Sequence, residues 1–258
     1  MKIIFDSNVW QIVTLPDDFQ TEVSLPHFRK IRQAIIDQTI EAYLSETIFT
    51  IEAIRRVERQ DFFSKRKAKI EITESETDDG ATNFNIVIKP EKGIDFNERP
   101  ILKKYFDEAI RIGFRIARLP RIAGMVNEDI ENVRFKLEGE ELKRYHDKVF
   151  EVGQKIDDNG AGISQIQAIG NLYHASNWIK GLKNAPESER NKIAKAAAEW
   201  ADGDSVAISI ALGCDYFCTR DQARGAGSKS VLSQSNLAWL RADYNFQTIA
   251  PEDLANLI

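Results

Sequence analysis

Four acidic residues are spaced so that an α/β fold would bring their carboxylates to one place. They are Asp6, Glu52, Asp204 and Asp221. Carboxylates that converge in a dry site repel one another and cannot all stay ionised unless a hard cation is present. Ligand sets made only of oxygen favour Mg²⁺ or Mn²⁺, and these ions promote phosphodiester hydrolysis. The pattern therefore predicts a Mg²⁺ or Mn²⁺ site with hydrolytic chemistry.

Two of these acids follow segments that are typical of buried strands. Asp6 comes directly after the apolar run 2–5, and Asp221 comes after the apolar run 216–219. Short apolar runs bounded by polar residues indicate buried strands rather than helices. Ligands bind outside the carboxyl ends of the strands in an open α/β sheet. Asp6 and Asp221 are therefore expected at the same edge.

The other two acids are predicted to lie on helices. Asp204 begins a predicted helix, 204–212, that leads into the strand before Asp221, and Glu52 lies about one turn into a helix predicted over 48–54. Strands and helices alternate at both ends of the chain, which favours a parallel α/β sheet. The sheet would then position all four carboxylates.

Each of the four acids also has an ordinary structural interpretation. An Asp after a strand often stabilises a turn, an Asp before a helix is often its N-cap, and a helical Glu is commonly a surface residue. Three neighbouring acids compete with the assignments: Glu46 with Glu52, Asp202 with Asp204, and Asp215 with Asp221. The order and spacing of the four together favour the functional interpretation.

Three segments resemble the PIN-domain nucleases. The opening 3–9, an apolar strand followed by Asp-Ser-Asn, is similar to the first motif of that family, and 45–52 is similar to its segment with a helical Glu. The most specific likeness is the closing motif, in which Asp204 precedes an Ala-containing helix, Gly213 and a strand that ends in Thr-Arg-Asp at 219–221.

The resemblance implies a three-layer α/β/α fold with a central parallel sheet and a Mg²⁺- or Mn²⁺-dependent endoribonuclease. Asp6, Glu52, Asp204 and Asp221 would be both the metal ligands and the catalytic residues. Ser7, Asn8 and Thr219 would support them by hydrogen bonds. The alternative is a catalytically inactive PIN-like module that binds RNA or protein, and a phosphatase or DNA nuclease with the same ligands is a third interpretation.

The resemblance covers less than half of the chain. Residues 1–60 and 187–258 are predicted to form the PIN-like core, and 61–186 an insertion with a β-hairpin at about 69–88 and several helices. The segment 101–119 is predicted to be one of those helices.

Basic residues are concentrated near Glu52 and in the predicted helix 101–119. Such runs are either solvated helix faces or contacts for RNA phosphates, which would make affinity depend on salt. The candidate RNA-binding residues are Arg55, Arg56, Lys103, Lys104, Arg111, Arg115 and Arg118. RNA is the expected partner, while a protein regulator or antitoxin and a homodimer are left open by the sequence.

The composition is that of a globular protein. The chain has 258 residues, of which 43% are apolar and 29% charged, with a formal net charge of -5. This balance excludes a chain that is disordered throughout, and no segment approaches the roughly 20 apolar residues of a membrane span. Asp6 interrupts the position where a signal peptide would be apolar, so a cytoplasmic location is expected.

Overall fold

The computed structural model of the protein describes residues 1–65, 68–76, 82–90, 100–119, 133, 135–221 and 229–258, with 64–65, 68–71, 83–90 and 100–101 described by their backbone only. The strands are β1 (Lys2–Phe5), β2 (Glu41–Ser45), β3 (Ala68–Glu76), β4 (Thr82–Pro90), β5 (Arg115–Ala117), β6 (Tyr216–Cys218) and β7 (Thr248–Ile249). The α-helices are α1 (Trp10–Thr14), α2 (Leu25–Ile36), α3 (Arg59–Lys65), α4 (Pro100–Ile112), α5 (Gly139–Asp158), α6 (Ile163–Tyr173), α7 (Trp178–Asn184), α8 (Arg190–Ala211), α9 (Gln234–Tyr244) and α10 (Pro251–Leu257).

The central sheet has five parallel strands in the order β5-β2-β1-β6-β7. Its middle strand β1 is apolar along most of its length because both of its faces are covered, as is usual for strands in parallel sheets. Ile3 pairs with Ala42 of β2 and with Tyr216 of β6, which places the carboxyl ends of the three strands side by side. The predicted α/β fold with a central parallel sheet is confirmed.

Helices cover both faces of this sheet. Ile3 and Phe5 lie on one face in a buried core with α1, α2, α4 and α10. Ile4, Tyr43 and Phe217 lie on the other face with α5, α8 and α9. Successive residues of a strand point to opposite faces, so β1 contributes to both cores. The arrangement is consistent with three α/β/α layers.

Part of the range 61–186 belongs to the central sheet and its helical layers. The hairpin predicted at 69–88 is present as β3 paired with β4, but β5 pairs with β2 inside the central sheet. Helix α5 buries Val149 and Ile156 against the face that carries Ile4. The boundary predicted at 60 and 187 therefore divides elements that pack together.

The helix predicted over 101–119 is shorter than expected. It ends at Ile112, after which Gly113 takes a positive φ of 116° and the chain enters β5. Glycine adopts such a conformation without the steric cost that other residues have. The basic residues of this segment are consequently divided between a helix and a strand.

A third buried cluster joins α3, α6, α7 and α8. It includes Phe62, Phe63 and Trp200. Within it α6 and α7 approach so closely that a Cβ added to Gly181 would lie 1.8 Å from the carbonyl oxygen of Gly170. Only glycine fits this crossing. Among the helices that the structure describes, none is both long and apolar enough to cross a membrane.

Candidate acidic site

Asp6 is held at the carboxyl end of β1 by donors from two strands. Its side chain is buried and accepts hydrogen bonds from the Ser7 N–H (2.6 Å), the Asn8 amide (2.8 Å) and the Thr219 hydroxyl (2.5 Å). These are the contacts that the sequence predicts for the three supporting residues. Burial nevertheless raises the pKa of Asp6, with a smaller contribution from the negative charge of Asp221.

Thr219 links the ends of β1 and β6. Its hydroxyl donates to Asp6 and accepts the backbone N–H of Asp221 at 2.9 Å. Asn8 strengthens the link, since its amide oxygen accepts the Arg220 N–H at 3.1 Å. Thr219 is 3% exposed, so its hydrogen bond to Asp6 is shielded from water, whereas Asn8, Arg220 and Asp221 are exposed. The turn after β6 therefore fixes Asp221 relative to Asp6.

Helix α8 brings two further carboxylates to the same edge. Glu199 and Asp202 are three residues apart and lie on one face of the helix. Burial raises the pKa of Asp202 well above its ordinary value, and four neighbouring carboxylates add to this effect: those of Asp6, Glu52, Glu199 and Asp221. The pKa of Glu199 is also raised, mainly by burial and in part by Asp221. Asp202 is therefore the acid on which the charges of the four others act.

Glu52 joins the cluster from a turn rather than from the predicted helix. The chain after β2 forms a short 3-10 turn, Glu46–Phe49, and the Glu52 N–H then donates to the Thr47 carbonyl at 3.1 Å. Glu46, its competitor, is fully buried and accepts the Leu119 N–H at 2.8 Å. Glu52 contributes to the charge at Asp202, whereas Glu46 supports the chain after β5.

Asp204 lies inside α8 and not at the start of a helix. The helix runs from Arg190 to Ala211 without a break at Asp204, and Asp204 is 1% exposed. Two residues along an α-helix correspond to a rotation of about 200°, so Asp204 leaves the helix opposite to Asp202. Asp202, the competitor noted in the sequence, is the acid that shares a face with Glu199. The i, i+3 spacing of Glu199 and Asp202 is the sequence signal for this face.

Asp215, the competitor of Asp221, lies at the other end of β6. Its carboxylate accepts the backbone N–H of Lys2 at 2.8 Å, which stabilises the start of β1. Asp221 comes after the carboxyl end of β6, beside Asp6. The structure thus separates the two acids by the length of the strand.

The predicted RNA-binding residues are divided between the two edges of the sheet. Arg111 lies in the last turn of α4 and Arg115 begins β5, so both lie at the edge opposite to Asp6. Arg111 pairs with Glu108 at 2.6 Å and Arg115 with Glu41 at 3.5 Å. Lys103 and Lys104 lie near the start of α4 and pair with Asp107 (3.7 Å) and Asp18 (2.5 Å).

Three of the predicted RNA-binding residues follow the acidic edge closely in the sequence: Arg55, Arg56 and Arg118. Arg55 and Arg56 follow Glu52 within four residues, and Arg118 follows the carboxyl end of β5. All three are exposed. Within the described part of the chain, Arg55 and Arg56 take part in no ion pair, so their guanidinium groups are accessible to a phosphate.

The chemistry of the donors fits a hard divalent cation. The four groups that raise the pKa of Asp202 in addition to its burial are all carboxylates; a bound cation would remove the repulsion between them. Among the described residues, no three His, Cys, Asp or Glu side chains stand close enough together to hold an ion as they are placed. Binding would therefore require side-chain rotations that draw the carboxylates together. No family model, curated protein or solved structure matches the chain.

Proposed function

We propose that this chain is a PIN-like, Mg²⁺- or Mn²⁺-dependent endoribonuclease. The observation that carries the proposal is the half-buried Asp202 carboxylate, whose pKa is raised by burial and by four other carboxylates at the carboxyl ends of parallel strands. Such a concentration of negative charge destabilises the protein unless it binds a cation. Its position is the edge at which open α/β sheets bind their ligands.

In this proposal Asp6, Glu52, Asp202 and Asp221 hold the cation. A bound Mg²⁺ or Mn²⁺ would polarise the phosphodiester and increase the acidity of water. The orientation of Asp6 is fixed by three hydrogen-bond donors. Asp204, the ligand expected from the motif, is replaced by Asp202, since Asp202 is the one that shares a helix face with Glu199.

RNA is the proposed substrate because exposed arginines adjoin the acids. Arg55, Arg56 and Arg118 are accessible near the acidic edge and can contact backbone phosphates, which position a nucleic acid without reading its sequence. Arg111 and Arg115 lie at the opposite edge and are left out of this surface. The arginine side chains would also offset the repulsion between the RNA phosphates and the carboxylates of the acidic site.

Cleavage of a mixed pool of single-stranded and structured RNA tests the proposal. The purified protein is incubated with Mg²⁺, Mn²⁺ or EDTA, beside Asp221→Asn and the control Asp37→Asn, which changes an exposed acid after the end of α2. We expect metal-dependent cuts that are lost in Asp221→Asn and kept in Asp37→Asn. Equal cleavage in EDTA would overturn the metal dependence. RNA binding without cleavage or metal binding would favour the inactive binding module.

A further inference from the structure

Residues 229–231, the first described residues after Asp221, are hydrogen-bonded to side chains of three helices. The Gln165 side chain of α6 donates to the carbonyl oxygen of Lys229 at 2.9 Å. The Val231 N–H donates to the Glu199 carboxylate at 3.3 Å. The amide of Asn236 donates to the Ser230 carbonyl at 2.7 Å. The backbone of 229–231 is therefore fixed from three directions.

The residues that follow Lys229 are also buried, which holds their backbone in place. Ser230, Val231 and Leu232 are between 0% and 4% exposed. Val231 and Leu232 pack into the core that contains α5, α8 and α9. The Ser233 side chain then caps α9 by accepting the Asn236 N–H at 3.3 Å. A segment with these contacts holds one backbone conformation next to Glu199.

Lys229 stands at the exposed end of this rigid segment. Its side chain is exposed, and within the described part of the chain its ammonium forms no ion pair or hydrogen bond. Glu199 accepts the N–H of Val231, which is two residues after Lys229. Glu199 also lies three residues before Asp202, and the negative charge of Asp221 contributes to its raised pKa. The backbone of Lys229 is thus placed at the margin of the acidic cluster.

We propose that Lys229 contacts a phosphate of the RNA next to the acidic site, and that Glu199 and Gln165 are positioning residues that hold Lys229 there. The inference rests on the proposed function, because it takes RNA as the substrate. Because the backbone is already fixed, only the lysine side chain has to be ordered when it binds a phosphate, which lowers the entropy cost of binding. Lys229 would extend the arginine surface to the side of the cluster formed by α8.

The first test is RNA affinity at several salt concentrations, measured by fluorescence anisotropy in EDTA so that the RNA stays intact. For Lys229→Gln we expect affinity about threefold to fivefold weaker and a salt slope smaller by about 0.7, the values for one exposed phosphate contact. Mn²⁺ affinity, measured by calorimetry, should be unchanged. Lys30→Gln is the matched control, since Lys30 is exposed on α2 at the opposite face of the sheet.

Two substitutions of Glu199 test the positioning role. Glu199→Ala and Glu199→Gln remove the same charge, but only glutamine keeps an acceptor for the Val231 N–H. We expect RNA to bind about threefold more weakly to Glu199→Ala than to Glu199→Gln, and this difference to disappear when either is combined with Lys229→Gln. Persistence of the difference in the double variants would assign Glu199 a structural role alone.

The outcomes separate the two proposals. Wild-type protein that binds RNA, with Lys229→Gln indistinguishable from it in affinity and salt slope, would overturn the role of Lys229 and leave the nuclease proposal intact. Wild-type protein that binds neither RNA nor Mn²⁺ would overturn both. A loss of Mn²⁺ affinity in Lys229→Gln would show that Lys229 acts on the acids rather than on RNA.

Discussion

Replacement of Thr219 by valine tests how the acidic site is built. Thr219→Val keeps the shape of the side chain but removes the hydroxyl that donates to Asp6 at 2.5 Å and accepts the Asp221 N–H at 2.9 Å. A hydrogen bond to a charged group contributes about 1.5–3 kcal/mol, and loss of the acceptor for the partly buried Asp221 N–H costs up to about 1 kcal/mol. The expected loss is about 2–4 kcal/mol of unfolding free energy at neutral pH.

The pH dependence of this loss gives a second, independent check. The Thr219 hydrogen bond lowers the pKa of Asp6, although burial raises it overall; the folded-state pKa of Asp6 is therefore higher in Thr219→Val than in the wild type. Above both values the variant bears the full penalty, and below both values the ionisation difference vanishes. The destabilisation should shrink as the pH falls through these pKa values.

Urea denaturation at neutral and acidic pH, without metal, measures both effects. Thr219→Ser is the matched control, because it keeps the hydroxyl and loses only a methyl group, at a cost of about 1 kcal/mol. A loss below about 1 kcal/mol for Thr219→Val, or one that does not change with pH, would contradict the role assigned to Thr219. In the absence of urea, Thr219→Val should bind Mn²⁺ about 10–100-fold more weakly than the wild type does.

Three other predictions concern the charge, the packing and the surface of the protein. The raised pKa of Asp202 lets the folded state keep a proton that the unfolded chain loses, so the metal-free protein should lose stability as the pH rises from the ordinary pKa of an aspartate through the raised pKa of Asp202. Thermal melts of Asp202→Asn should depend less on pH than those of the wild type. Mn²⁺ should raise the melting temperature of the wild type at neutral pH. Gly181→Ala should destabilise the fold by about 3 kcal/mol or more in urea denaturation, because its Cβ would overlap backbone atoms; near-wild-type stability would contradict the tight crossing. Exchange of both Arg55 and Arg56 for glutamine should weaken RNA binding and reduce its salt dependence, whereas Arg111→Gln should change neither; equal effects would show that RNA contacts both edges.

The sequence predicts the strands and their acids well because both depend on local signals. A short apolar run followed by Asp-Ser-Asn indicates a buried strand and a polar edge, and β1 with Asp6 follows this pattern. The strand β6 is likewise a short apolar run, and Thr-Arg-Asp at 219–221 follows it. The hydrogen bonds from Asn8 and Thr219 to Asp6 follow once the two strands are neighbours.

The errors arise where tertiary packing overrides local signals. The sequence predicts a helix that begins at Asp204, but α8 already includes Gly203, where a Cβ atom would lie 3.1 Å from the Gly162 Cα. Tertiary contacts thereby compensate for the low helix propensity of glycine. The sequence likewise predicts a helix over 101–119, where the structure has the three-residue strand β5. The pairing of β5 with β2 is not a local property of the sequence.

Mn²⁺ binding by Asp202→Asn and Asp204→Asn is the most direct test of the acidic site. The two positions lie two residues apart in α8, and the substitutions are chemically identical. Calorimetry in the absence of RNA should show Mn²⁺ binding to the wild type, an affinity at least about tenfold weaker in Asp202→Asn, and an affinity close to the wild-type value in Asp204→Asn. No Mn²⁺ binding by the wild type, or a loss in Asp204→Asn with Asp202→Asn unchanged, would contradict a cation site centred on Asp202.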